Sequence, residues 1–237
     1  MTGVRSLEWL ILTRHGESTA NVAYAAAHDG LEEIDVPERD ADVPLSPAGQ
    51  KQAAALGRRL AGLPPDERPT AVLASPYTRA LETARIALAE LPDTPVLQID
   101  ERLRDRELGV LDRLTPAGVR ARFPAEAARL ARLGKFYHRP PGGESWADMA
   151  LRLRSAYRDL DLDHPGGRVL VVAHDAVVVL TRYIVENRTE QEIMEIEKTP
   201  IVNCSISRWR RRGGRLAPVE YNDPSHLPDP LIMAEED

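Results

Sequence analysis

The run Val169-Leu170-Val171-Val172-Ala173 has no polar residue in it. A strand-length segment without polar alternation is the pattern of a β-strand covered on both faces. A helical stretch over 177–186 follows it almost directly. Trp9-Leu10-Ile11-Leu12-Thr13 and Ala71-Val72-Leu73-Ala74 read as further buried strands, and a weaker one lies near 96–99. Residues 204–209, a Gly213-Gly214 turn and 215–221 suggest a terminal hairpin.

Helical patterns lie between these strands. Ser46 caps a helix over 48–61, with Pro47 at its first position. A second helix covers 79–91 and stops at Pro92. Pro124 splits a pair over 115–123 and 125–133, and a long amphipathic helix covers 145–160. The alternation predicts an α/β fold: a three-layer sandwich with a mostly parallel central sheet and helices on both faces. One domain over 1–222 accounts for most of the 237 residues. Irregular stretches at about 21–43 and 104–144 read as insertions that cover a site, and the acidic 223–237 as a mobile or loosely docked tail.

Charge and composition narrow the partners. A net charge of −6 argues against a nucleic-acid partner, and the basic run over 208–212 reads as a solvated strand edge. Cys204 is the single cysteine, so no internal disulfide forms. The apolar run over 10–12 is too short for a signal peptide, and no stretch approaches the roughly 18 apolar residues of a membrane span. The expectation is a soluble cytoplasmic protein with no membrane partner. Nothing in the sequence speaks to oligomeric state.

The chemistry gathers at strand ends. The first strand runs into Arg14-His15-Gly16-Glu17-Ser18, and open α/β sheets bind ligands at their carboxyl ends. Arginine offers a planar fork of donors to phosphate oxygens, histidine a nitrogen nucleophile near neutral pH, and glycine a close backbone approach. A bare Arg-His pair is equally what an ordinary polar loop contains. However, the strand over 169–173 also ends in a histidine, His174, and the strand over 71–74 leads to Arg79 at a helix start. Two histidines and two arginines at three strand ends call for a shared anion, and a phosphate dianion supplies one.

These segments, taken together, resemble the histidine phosphatase superfamily, in its phosphoglycerate-mutase-like branch. The nucleophile signature is Leu12-Thr13-Arg14-His15-Gly16-Glu17-Ser18 with Asn21 behind it. Pro44-Leu45-Ser46-Pro47-Ala48-Gly49 with Gln52-Ala53, and Ser75-Pro76-Tyr77-Thr78-Arg79-Ala80 with Thr83-Ala84, are similar to the next two family motifs. Pro141-Gly142-Gly143-Glu144-Ser145 and Val171-Val172-Ala173-His174 are similar to the last two. The resemblance spans about residues 8–210. It implies that His15 attacks phosphorus and becomes a phosphohistidine. Arg14, Arg79 and His174 would hold the phosphoryl oxygens, and Asn21 would add a neutral hydrogen bond. It implies no metal and no other cofactor. The six histidines show no metal-ligand spacing either.

A departing alkoxide needs a proton. The family's Leu-x-Glu-x-x-x-Gly pattern reads Leu103-Arg104-Asp105-Arg106-Glu107-Leu108-Gly109 here, so Asp105 takes the donor position. Asp175, directly after His174, and Glu107 are the alternatives; a His-Asp pair resembles the acid phosphatase and phytase branch. Ser18, Lys135, Tyr137 and Arg139 are candidates for substrate contacts, the last three on a segment placed to choose substrate. Glu17 reads as a local pair, Glu144 and Ser145 as a loop and helix cap, and His28, His138, His164 and His226 as loop residues. Mutases of the family carry a lysine after the donor acid and an Arg-Arg pair in the lid. This chain has Arg113 but no lysine before Lys135, and Gly134-Lys135-Phe136-Tyr137-His138-Arg139 contains no such pair. The expectation is therefore a phosphohydrolase acting on small phosphorylated molecules. Mutase-type transfer and a non-catalytic phospho-ligand binder are the alternatives.

Overall fold

In strand β4 (Arg168–Ala173) every residue after Arg168 is buried, and its alternate side chains feed two separate cores. The computed structural model describes residues 6–28 and 30–228. Strands β1 (Trp9–Arg14), β2 (Ala71–Ala74), β3 (Leu97–Ile99), β5 (Ile206–Arg212) and β6 (Arg215–Asp223) complete a six-stranded sheet with β4. The order is β3-β2-β4-β1-β5-β6. The first four strands in that order pair in parallel, and β5 and β6 add antiparallel.

Leu170 and Val172 join Ile11, Val72 and Ala74 against helices α2 (Pro47–Ala61) and α3 (Thr78–Ala89). Val169, Val171 and Ala173 join Leu10, Leu12 and Leu73 against α6 (Trp146–Asp163) and α7 (Asp175–Val185). These are the three layers expected of the chain, and the predicted strands and long helices are present within a few residues.

Several local readings need correction. The segment read as irregular from residue 21 begins inside a short helix, α1 (Thr19–Ala25), and a second short helix, α8 (Glu190–Ile196), was not foreseen. The basic run is not a solvated edge, because β5 lies between β1 and β6. Arg208 and Arg210 stack over the Trp9 ring at 4.6 and 4.9 Å, and Arg208 pairs with Glu67 and Glu220, each at 2.9 Å. The tail is docked at its start: β6 runs to Asp223, and Leu227 is buried in the core beneath α2 and α3. Residues 229–237 lie outside the described residues.

Helices α4 (Pro116–Arg122) and α5 (Pro124–Tyr137) sit in the second insertion, with α5 broken at Gly134. The two insertions meet. Ile34 N–H donates to the Arg113 carbonyl at 3.0 Å, Thr115 N–H to Glu32 at 3.1 Å, and Arg122 pairs with Glu32 and Glu33. They wall a cavity of about 460 Å³ above the carboxyl ends of the strands. Among the described residues no helix is long and apolar enough to cross a membrane.

Candidate active site

Parallel register brings the strand ends to one level. Arg14 lies opposite Ala173, and Ala74 opposite Val172. The next residues are His15, His174 and Ser75, so three neighbouring strands deliver their polar groups to one place. His15 N–H donates to the Ala173 carbonyl at 2.9 Å, extending the ladder one residue beyond β1.

The His15 ring is buried and oriented at both nitrogens. Nδ1 lies 2.7 Å from the Gly16 carbonyl, which only a protonated Nδ1 can satisfy. Nε2 then carries the lone pair, and Arg79 Nε–H donates to it at 3.2 Å. Burial first, then the charges of Arg79, His174 and Arg14, hold the imidazole well below the usual histidine range. The ring is thus neutral, with the Nε2 lone pair facing a cation. Arg14 is buried beside it and donates to the Ile201 carbonyl at 2.7 Å.

His174 is fully buried, with its ring centroid 5.2 Å from that of His15 and 5.1 Å from Tyr77. Nε2 lies 2.8 Å from Ser75 Oγ and Nδ1 3.2 Å from Asp105 Oδ2. Asp105 also accepts from Arg79 at 3.0 Å, and its other oxygen accepts the Arg106 N–H at 2.8 Å. Burial works against this carboxylate. Nevertheless the His174 charge, and after it Arg79 and the Arg106 N–H, hold it well below the usual range. Arg79 carries a second carboxylate that the sequence did not signal. Asp40 Oδ1 lies 3.0 Å from Nη1, its Oδ2 is 3.4 Å from Nη2, and its carbonyl accepts from Nη1. Burial opposes the Arg79 charge, and Asp105 and Asp40 restore it.

The loop that follows β1 is held from below by the motif that opens α2. A Cβ on Gly16 would lie 2.5 Å from the Gly49 carbonyl, and one on Gly49 would lie 2.0 Å from that of Glu17. Only two glycines allow this approach. Gln52 accepts the Glu17 N–H at 2.7 Å, Thr83 accepts that of Gly16 at 2.9 Å, and Ser46 bonds the Glu17 carboxylate. Glu17 is therefore a long-range tie rather than a local pair. Ser18 and Asn21 form the capping box of α1, and Asn203 joins Asn21 Oδ1 to the His15 carbonyl. Ser18 is buried there and is not among the residues lining the cavity.

The other candidates separate by position. Asp175 lines the cavity and accepts the Ala176 N–H at 2.6 Å. Glu107 accepts the Tyr77 hydroxyl at 2.9 Å and lines a neighbouring cleft instead. Lys135 lines the cavity, paired with Glu197 and 5.3 Å above the Trp146 ring. Arg139 is away from it, exposed and paired with Asp148, and the Tyr137 hydroxyl bonds Glu190. Glu144, read as a loop residue, is a hub. It binds Arg104 at 2.6 Å and Arg152 at 2.9 Å, and Arg152 donates onward to the Asp105 carbonyl at 3.0 Å. His138 is buried and bonded to Glu126 at 3.0 Å. Among the described residues no three His, Cys, Asp or Glu side chains form a group that could hold a metal.

Residues 10–224 match the sequence profile of the histidine phosphatase superfamily (branch 1). The chain is 33% identical over 199 residues to a 2,3-bisphosphoglycerate-dependent phosphoglycerate mutase of Gloeobacter violaceus, covering 82% of each chain. It is 31% identical over 218 residues to a metal-independent phosphoserine phosphatase of Arabidopsis thaliana, covering 92% of this chain and 82% of that one. A mycobacterial glucosyl-3-phosphoglycerate phosphatase, solved in complex with VO3, superposes with a TM-score of 0.70 at 26% identity. That match covers 91% of this chain and 99% of the other.

Proposed function

The chain belongs to the histidine phosphatase superfamily (branch 1), and from that membership we propose a metal-independent phosphomonoester hydrolase that works through a phosphohistidine at His15. The observation that carries this reading is the state of the His15 ring. It is buried and uncharged, its Nδ1 is tied to Gly16, and its Nε2 is aimed at the Arg79 guanidinium. A phosphoryl group drawn to Arg79 meets that lone pair.

The first step forms the Nε2–P bond and breaks the P–O ester bond. Arg14, Arg79 and a protonated His174 balance the charge spread over the equatorial oxygens, the task a metal performs in other phosphoryl-transfer enzymes. Asn21 contributes through its amide nitrogen, since its carbonyl oxygen serves the α1 cap. Asp105 is the counter-charge that holds His174 and Arg79 in register. In the second step water attacks phosphorus and the Nε2–P bond breaks.

Hydrolysis is favoured over mutase transfer by the cations of the cavity. Lys135 is paired with Glu197 and Arg113 with Glu33, while Arg106 donates to the His138 and Glu144 carbonyls. These cations are engaged with the protein itself, which does not suit a second phosphate on the substrate. Mutase transfer remains the second reading because of the mutase relative at 33% identity.

The test is a panel of phosphomonoesters run beside a 3-phosphoglycerate isomerisation assay with and without 2,3-bisphosphoglycerate. Release of inorganic phosphate without isomerisation is expected. Rapid quench with radiolabelled substrate should trap an acid-labile, base-stable phosphoenzyme, absent in His15→Ala along with nearly all turnover. Substantial turnover by His15→Ala, or an acid-stable adduct, overturns the nucleophile.

A further inference from the structure

Arg79 has three neighbours arranged along its guanidinium. His15 Nε2 meets Nε at 3.2 Å, and Asp105 meets Nη2 at 3.0 Å. Asp40 meets Nη1 at 3.0 Å, at the end of the fork away from the nucleophile. In-line transfer requires the attacking nitrogen and the departing oxygen on opposite sides of phosphorus. A phosphoryl group seated on Arg79 with His15 behind it therefore turns its ester oxygen toward the cavity, which Asp40 and Asp105 both line.

The two carboxyls are not equivalent as proton carriers. Asp105 Oδ2 accepts from Arg79 and lies 3.2 Å from His174 Nδ1, and Oδ1 accepts the Arg106 N–H. A guanidinium, an imidazole and a backbone N–H gathered on one carboxyl favour its ionised form. Asp40 has Arg79 as its ion-pair partner, and its Oδ2 sits at a loose 3.4 Å. A phosphoryl dianion that takes over Nη1 removes that partner and adds negative charge alongside. Both changes favour the acid form.

We propose that Asp40 is the general acid of this enzyme, protonating the leaving oxygen, while Asp105 stays ionised as the partner of His174 and Arg79. The inference rests on the phosphohistidine reading above. In the first step the P–O bond breaks, its electron pair goes to the ester oxygen, and the Asp40 proton goes to that oxygen to release the alcohol. The Asp40 carboxylate then takes a proton from water as the water oxygen attacks phosphorus, and the Nε2–P electron pair returns to His15. Asp40 ends as it began. The surroundings agree with this division, since burial, opposed by Arg79 but helped by Asp105, raises Asp40 above the usual carboxylate range.

The experiment is a leaving-group series of similar size, from p-nitrophenyl through phenyl to benzyl phosphate, on the full chain and on Asp40→Asn and Asp105→Asn. For Asp40→Asn, kcat/KM should fall about 10²–10³-fold on benzyl phosphate, the usual contribution of a general acid, and less than about tenfold on p-nitrophenyl phosphate. Asp105→Asn should lose a similar factor on every ester. A uniform loss or a uniform gain in Asp40→Asn, or the steep dependence appearing in Asp105→Asn instead, overturns the assignment. Inhibition by inorganic phosphate checks that Asp40→Asn keeps its site, and Asp40→Glu should recover part of the benzyl phosphate rate. Trapping on the unsubstituted chain separates the two claims. If no phosphoenzyme forms at His15, the underlying reading falls; if it forms while Asp40→Asn shows no leaving-group dependence, the role of Asp40 alone falls.

Discussion

His15 is a histidine that folding keeps uncharged, and that has a thermodynamic consequence. Its folded pKa is depressed below the 6.5 of an ordinary histidine. Between the two values the unfolded chain binds the extra proton, so stability falls as pH drops below about 6.5. Asp105 is depressed below 3.8 and adds stability above that value, lost only as pH falls further. From pH 7 to 5 the His15 contribution therefore moves, together with that of His226, whose imidazole burial also holds below the usual histidine range. His15→Asn should show a flatter fall of Tm across that interval than the unsubstituted chain; parallel curves would contradict a buried neutral ring. Arg14, His15, Arg79 and His174 were legible because each stands beside a recognisable strand end. Asp40 was not. Its partner is 39 residues away in sequence, and an ion pair reaching from an irregular segment leaves no periodicity to read. Glu144 escaped for the same reason, since its arginines come from two separate elements.

At the scale of elements, the loop that carries His15 rests on the first turn of α2. Gly16 and Gly49 touch through backbone where any side chain collides. Gly49→Ala forces α2 away from Glu17 and strains the loop that aims His15. Overpacking of this kind costs about 1–3 kcal/mol, a Tm loss of roughly 2–12 °C for a chain of this length. The kcat should fall with it, because Ser46 and Gln52 move together with the helix. An unchanged Tm and kcat would mean that the contact is slack. The motif over 44–53 was legible as a cap and a helix start, but its contact with Glu17 required the fold. Strands and long helices were readable because each buries a continuous stripe. Helix α1 buries none of its seven residues and α8 buries only Ile193, so neither has an apolar period to find.

For the whole molecule, the site joins what the sheet sets side by side. β1, β4 and β2 are neighbours in the sheet, and their continuations carry His15, His174 and Arg79. Two cores hold these strands from opposite faces, so these three side chains are fixed before any substrate arrives. An anion bound among them links three strands that the chain visits far apart. Such a ligand binds the folded state alone and must stabilise all of it. At about 100 times its Kd, inorganic phosphate should add ~2.7 kcal/mol, which is roughly 5–11 °C in Tm. Arg79→Ala removes the fork that faces His15 Nε2 and leaves Asp40 and Asp105 without their shared cation. Its Tm should fall in buffer, and the phosphate-induced rise should largely disappear. If phosphate raised the Tm of Arg79→Ala as much as that of the unsubstituted chain, the anion would be binding elsewhere, and the convergence of these three strands would owe nothing to phosphate.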